Sequence, residues 1–334
     1  MRQDLREPFL AALRRAREAA YRPGEYVGQE SFMRAVEIRQ LARHARIGPG
    51  ASVLDLCCGV AGPGRLIAAD TGCRYTGIDY SASALSIARE LAGNLPCHFE
   101  QMHVPPLPDG RFEVVLLLET MLAFADKRAL LEDVARVLIP GGRFGFTLEE
   151  GRPLTGTERL QTPDADTVWL IELAELTAML RAVGLTVTWQ HQFSASHRAT
   201  ATALLQALRA DSTDIARQIG PQALAELITA HELWSDWLGS GRVRKFAVVA
   251  EKRWTGKAPQ VRAGGRAATS FVNAGCEIMN AVAYRPPQRS PSAVSLEREL
   301  ERGGEQPSKA DGCRHEDGDQ HEEGGRPGRD PAEY

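Results

Sequence analysis

Asp55 and Asp79 each close a short apolar run, and the first is followed by a loop of small residues, Cys57-Cys58-Gly59-Val60-Ala61-Gly62-Pro63-Gly64. Acids so placed do recognition chemistry. A carboxylate at a strand end can accept hydrogen bonds from both hydroxyls of a ribose, and glycine lets the backbone turn sharply and come close to a ligand. The pair describes a pocket for an adenosine-bearing cofactor. Asp55 also bears on which one, because a carboxylate there repels a pyrophosphate and attracts the ammonium of a methionine moiety. The dinucleotide fingerprint Gly-x-Gly-x-x-Gly is not met, since Cys57 stands where its first glycine belongs.

Strands and helices in alternation must hold these acids in place. Residues 52–56 and 75–78 read as buried parallel strands with a helix at 65–71 between them, and Ser81 caps a helix over 81–91. Residues 97–100 make a third strand, and the unbroken aliphatic run 114–118, ending at Glu119, makes a central fourth. An amphipathic helix at 129–138 is stopped by Pro140-Gly141-Gly142, and a strand restarts over 143–147. A helix at 170–182, a strand at 185–193 and a last strand at 243–251 complete the pattern, with helical segments at 199–209, 213–219 and 221–238 inserted before the last strand. An insertion of this size predicts a cap over a binding site, with Leu204, Leu205, Leu208, Leu224 and Leu227 as its packing residues. At the start of the chain, helical spacing predicts one helix over 2–20 and a second one capped by Ser31.

Val53, Leu54, Asp55 and Gly59 fall on hydrophobic-Leu-Asp-x-Gly-x-Gly-x-Gly, with Cys57 and Ala61 in place of the outer glycines. Together with Asp79, the run ending at Glu119 and the Pro-Gly-Gly segment, they make residues 30–252 resemble the class I S-adenosylmethionine-dependent methyltransferases of small-molecule type. The resemblance implies an α/β fold: a Rossmann-like, seven-stranded, mostly parallel sheet with an antiparallel last strand, N-terminal helices and a helical cap between the last two strands. It also implies S-adenosylmethionine as cofactor and methyl transfer to a small-molecule acceptor through O, N or C. On it, Asp55 faces the methionine ammonium, Cys57 and Gly59 form the backbone cradle, and Asp79 binds the ribose with Tyr80 and Ser81 beside it. Tyr80 lies on or beside adenine and Glu119 near the junction of donor and acceptor. The family commonly carries Asp-Ala before a Leu-Pro pair; here those positions are His103 and Val104, which places them at the adenine edge. Tyr26 and Gln29, in the loop between the first two helices, are candidate lid contacts, or the tyrosines there only anchor the helices.

Methyl transfer from a sulfonium depends mainly on alignment, and a base helps where the acceptor is a hydroxyl or an acidic carbon. Glu119, Glu149, Glu150, His191 and His197 are the candidates, with His197 preferred and Glu149 and His191 beside it. The alternative for His197 is a surface histidine. Two other functions stay open, a nicotinamide-dependent oxidoreductase and a non-catalytic binding protein that retained the fold.

Composition bounds the rest. The formal net charge of −3 gives no global attraction to nucleic acid or anionic lipid, and no run is long and apolar enough to span a membrane. The six cysteines show no Cys-x-x-Cys or zinc spacing, so free thiols in a cytoplasmic protein and no metal site are expected. Past Lys257, Gly, Pro, Arg and Glu cluster with little to bury. The expected organisation is N-terminal helices and lid over 1–46, a methyltransferase domain over 47–252 with its cap at about 199–239, and a mostly disordered tail over 253–334.

Overall fold

The computed structural model describes residues 6–29, 31–162 and 165–253. Expectations for the tail, including a short helix at 293–302, the thiols Cys276 and Cys313, and His315 and His321, lie outside the described residues.

Seven strands form one sheet: β1 (Ser52–Leu56), β2 (Arg74–Asp79), β3 (Cys97–Gln101), β4 (Phe112–Leu117), β5 (Leu138–Glu150), β6 (Leu185–Gln192) and β7 (Arg244–Lys252), in the order β3-β2-β1-β4-β5-β7-β6. β1 to β5 pair in parallel. β7 inserts antiparallel between β5 and β6. The mostly parallel sheet with an antiparallel last strand is as expected. β1 and β4 are apolar because both faces are covered: Leu54, Leu56, Val115 and Leu117 pack into one layer, and Val53, Val114 and Leu116 into the other. The chain runs outward from β1 to β3 and then crosses back to β4 on the other side of β1, so a crevice opens at the C-terminal ends of β1 and β4.

The sheet is flanked by α2 (Ala35–His44), α3 (Gly62–Thr71), α4 (Ala82–Ala92), α5 (Lys127–Val137) and α7 (Leu173–Ala182). Between β6 and β7 stand the cap helices α8 (Ser194–Ala210), α9 (Ser212–Ile219) and α10 (Pro221–Ser240). The N-terminal α1 (Arg6–Ala20) joins this cap, burying Ala12, Leu13 and Ala16 against Leu204, Leu208, Ile215, Leu224 and Leu227. Leu204, Leu208, Leu224 and Leu227 are thus packing residues, as expected, and Leu205 is buried but outside this cluster.

Three local expectations change. Ser31 does not cap α2; Arg34 does, with its backbone N–H donating to Glu37 at 3.0 Å, and Phe32 precedes the helix to pack with the cap. Pro-Gly-Gly does not separate α5 from a later strand: β5 begins at Leu138 and carries residues 140–142 as a bulge, its register skipping from Leu138 to Arg143. Pro140 has no N–H for the ladder and Gly141 sits at φ 78°, so pairing resumes only beyond them. A short helix over Gly156–Gln161 was not anticipated, although Thr155 and Glu158 form a capping box at its start.

Candidate functional site

The loop after β1 winds through left-handed backbone at Cys57 (φ 55°), Gly59 (φ 54°) and Ala61 (φ 54°). Glycine adopts this freely, whereas the two side-chain-bearing residues are strained there. The strain is held by what the loop reaches. Gly59 N–H donates to Asp79 Oδ2 at 2.9 Å, and Ser81 N–H to Asp79 Oδ1 at 2.8 Å, so one carboxylate ties the loop to the start of α4. Ser81 also caps α4 through its hydroxyl, which accepts from Ala84 N–H at 3.2 Å.

Asp55 is buried at 3% exposure, and Tyr75 donates to it at 2.6 Å. Burial pushes its carboxyl up to about 7, the Tyr75 hydrogen bond opposes the shift, and the Asp79 charge adds to it. Tyr75 reaches Asp55 by crossing Gly64, where an added Cβ would lie 2.2 Å from the phenol ring. Gly62 makes the second close approach: a Cβ there would lie 2.5 Å from the Gly28 carbonyl carbon, so the loop after α1 rests directly on the start of α3.

Two cavities open at this end of the sheet. The smaller, of about 330 Å³, is a slot lined by Asp79, Tyr80, Met102, His103, Val104 and Phe124, with the Tyr80 and His103 rings 5.8 Å apart and 29° from parallel. The larger, of about 1030 Å³ including its mouth, runs from Asp55 and Gly59 to Glu119, Glu149, His197 and Lys245 beneath the cap. Cys57 and Thr120 line both, so the cavities adjoin.

At the far end of the larger cavity, Lys245 is 3% exposed and lies 2.8 Å from Glu119 Oε1, and it also donates to Glu149 Oε1. Burial works against its charge, but Glu119 and Glu149 outweigh that and raise its pKa above the ordinary lysine value. The register sets up the contact, for Glu149 and Lys245 face one another across β5 and β7. Glu119 terminates the β4 run at φ 63°, its N–H donating to Thr147 Oγ1 at 2.6 Å. His197, in the first turn of α8, is wholly buried, and its Nε2 lies 3.3 Å from Glu37 Oε2. Glu37 also accepts from the Ser196 hydroxyl at 2.5 Å. Burial opposes ionisation of Glu37, but His197, Ser196 and the Arg34 N–H together lower its pKa to about 2, so it is a carboxylate at neutral pH.

The residues named from the sequence fall into three groups. Asp55, Cys57, Gly59, Gln29, Glu119, Glu149 and His197 line the larger cavity, and Asp79, Tyr80, His103 and Val104 the smaller. His197 is therefore not a surface residue. Gln29 lines the wall but spends its side chain bracing the loop, donating to the Met33 carbonyl at 2.6 Å and accepting from Val27 N–H at 2.6 Å. Tyr26, Ser81 and His191 line neither cavity. Tyr26 packs against Tyr21, which anchors the loop by donating to the Ser31 carbonyl. His191 is exposed on β6, between Trp189 and Phe193. Glu150 pairs instead with Arg244. The reading missed Lys245, Glu37, Phe32 and Thr120. A lysine opening the otherwise apolar run 246–250 was the available signal for the first; Glu37 gave none beyond its place in a helix.

Residues 54–146 match the methyltransferase domain family. The chain is 35% identical over 124 residues to a sterol 24-C-methyltransferase of Gibberella zeae, covering 35% of this chain and 33% of that protein. It is 35% identical over 97 residues to a 2-methyl-6-phytyl-1,4-hydroquinone methyltransferase of Synechocystis, covering 28% and 30%. The chain thus spans about a third of the length of the curated relatives it matches. Among solved structures, a mycolic acid cyclopropane synthase in complex with S-adenosylhomocysteine superposes with a TM-score of 0.62 at 14% identity, covering 75% of this chain and 95% of that one. The [4+2]-cyclase SpnF superposes at 0.58 and 22% identity, covering 75% and 94%. At these identities the likeness is one of fold.

Proposed function

We propose, for a chain whose residues 54–146 form a class I S-adenosylmethionine-dependent methyltransferase domain, that the protein transfers a methyl group to a small-molecule acceptor held under the helical cap. The observation that carries this reading is the meeting of a slot closed by Asp79 and a larger chamber closed by Glu149 and His197 at Cys57 and Thr120. The residues fit a sulfonium nucleoside. The slot offers rings and apolar walls to a purine and a carboxylate to a ribose, while the buried, strand-end Asp55 and the amides of the loop suit a cationic amino-acid moiety. Bound there, S-adenosylmethionine supplies an electrophilic methyl group.

The chain's own residues do the rest. Asp79 holds Gly59 and so the curvature of the loop; Gln29 and Gly28 line the larger cavity beside it; the cap contributes Trp234 and Leu238 to the wall of the chamber. His197 takes the acceptor's proton at a ring nitrogen, and Glu37 orients the imidazole. A nicotinamide dinucleotide is disfavoured because its pyrophosphate would lie against the Asp55 carboxylate. A cytoplasmic location belongs to the same proposal; no helix among the described residues is long and apolar enough to cross a membrane.

The test is calorimetric titration of the full chain with S-adenosylhomocysteine, with NAD as control. Binding of the former alone is expected, with Asp79→Ala weakening it about 100-fold through the lost charged hydrogen bonds. Tighter binding of NAD, or no binding of either, would overturn the reading and favour an oxidoreductase or a non-catalytic binding protein respectively.

A further inference from the structure

The larger cavity has a charge excess. Three carboxylates line it, Asp55, Glu119 and Glu149, against one ammonium, Lys245, and no arginine joins them. Assigning Asp55 to the cofactor's amino group still leaves the lining residues Glu119, Glu149 and Lys245 one negative charge over; the buried Lys127 ammonium also acts on Glu149, but its hydrogen bonds go to the Phe124 and Trp169 carbonyls. That surplus is buried: Glu149 is 6% exposed, and its Oε2 has no hydrogen-bond partner among the described residues. An uncompensated buried carboxylate is unfavourable, and a donor bearing positive charge relieves it best. A neutral hydroxyl satisfies the oxygen but leaves the charge, and an anion adds to it. Phe32 from the segment before α2 and Trp234 from the cap line the same cavity, together with Leu122 and Leu238. Aromatic faces beside a carboxylate suit an alkylammonium, whose charge both attract and whose carbon body the leucines cover.

From this geometry we infer that the acceptor is a basic amine on an apolar body, its ammonium nitrogen bound at Glu149 Oε2 beside Lys245 and Trp234. The inference rests on the proposed methyl-transfer function and adds the substrate class. Lys245 has a positioning role: it holds the Oε1 atoms of Glu119 and Glu149, which leaves Glu149 Oε2 for the ligand. The bound nitrogen must lose one proton before it can attack the methyl group, and His197, which lines the same cavity, takes it.

The test is binding, read by calorimetry on the full chain saturated with S-adenosylhomocysteine, using phenethylamine, phenethyl alcohol and hydrocinnamate as matched probes of amine, hydroxyl and carboxylate. Phenethylamine should bind at least about tenfold more tightly than the alcohol, the difference between a charge-assisted and a neutral hydrogen bond, and hydrocinnamate weakest. Glu149→Gln should erase the amine preference while S-adenosylhomocysteine affinity stays unchanged. Trp234→Leu, in the cap, should weaken the amine roughly threefold and the alcohol less. Equal binding of the three probes, binding of none, or preference for hydrocinnamate overturns the inference, the last by making Lys245 an anion anchor. Loss of S-adenosylhomocysteine binding in the native chain is the separate failure of the parent reading.

Discussion

The two ends of the crevice are built on opposite terms. At the nucleotide end the polar groups are committed to the protein itself: Asp79 accepts from two backbone amides, Asp55 from Tyr75, and Gln29 braces its own loop. Under the cap some are left over, for Glu149 Oε2 and His197 Nδ1 lack a hydrogen-bond partner among the described residues. Buried polar atoms are seldom left so, and a catalytic role is one recognised reason. The contrast teaches that the first end is a preformed cradle, whose shape is its function. The second is a set of open valences, whose function is chosen by what fills them.

The sharpest way to break this contrast is at His197. His197→Asn should lower kcat by about 10²- to 10⁴-fold, the usual share of a positioned base, with S-adenosylhomocysteine affinity unchanged; Glu37→Gln should do the same to a lesser degree and flatten the pH–rate profile. A variant that also loses the cofactor product would show that the two ends are not separable. Gly64→Ala attacks the cradle. Its methyl group meets the Tyr75 ring at 2.2 Å, so roughly 3 kcal/mol of stability should disappear in urea denaturation, and cofactor affinity with it. Full binding by a destabilised variant would detach the Tyr75–Asp55 contact from recognition.

Asp55 gives a pH signature. With its carboxyl pushed up to about 7, the folded chain keeps a proton that the unfolded chain releases near pH 4, so its contribution to stability falls as pH climbs between those values and is level above. A cationic ligand prefers the ionised form, so S-adenosylmethionine affinity should weaken up to about tenfold per unit as pH drops below about 7. Asp55→Asn should remove that slope and melt higher than the native chain above pH 7; a slope that survives the substitution would assign it elsewhere. The smallest effect is expected at Ala61→Gly, where relief of left-handed strain at φ 54° outweighs the lost methyl packing by under about 1 kcal/mol. A melting temperature lowered by this change would mean the packing dominates.

Much of the nucleotide end could be read in advance because its residues are consecutive or follow directly from strand ends. Asp55, Gly59, Asp79 and Tyr80 are placed by a short loop and parallel pairing, which local pattern reveals. The left-handed backbone at Cys57 and Ala61 was not legible, because residues with a Cβ stand there where the pattern has glycine. The cap end is assembled from distant segments, and its logic is pairwise. His197 is buried because Phe193 stacks on it, Phe32 meets it edge-on and Glu37 reaches it, and the last two come from a segment more than 150 positions away by number. His191, of the same residue type on the neighbouring strand, is exposed. Lys245 falls inside the last expected strand, and only the register sets it against Glu149. The bulge at Pro140 misled for a similar reason: breakers end a helix by local rule, but here the sheet absorbed them.

That register carries one more implication. Glu149 faces Lys245 and Glu150 faces Arg244 across β5 and β7, one couple sealed in the chamber and the other at the surface. Sliding β7 by a single position would turn every side chain to the opposite face, marooning a charge in the apolar layers and emptying the chamber of its cation. Correct strand alignment and competence for catalysis are therefore the same event, and a misaligned molecule is excluded by the very charges it would need to work.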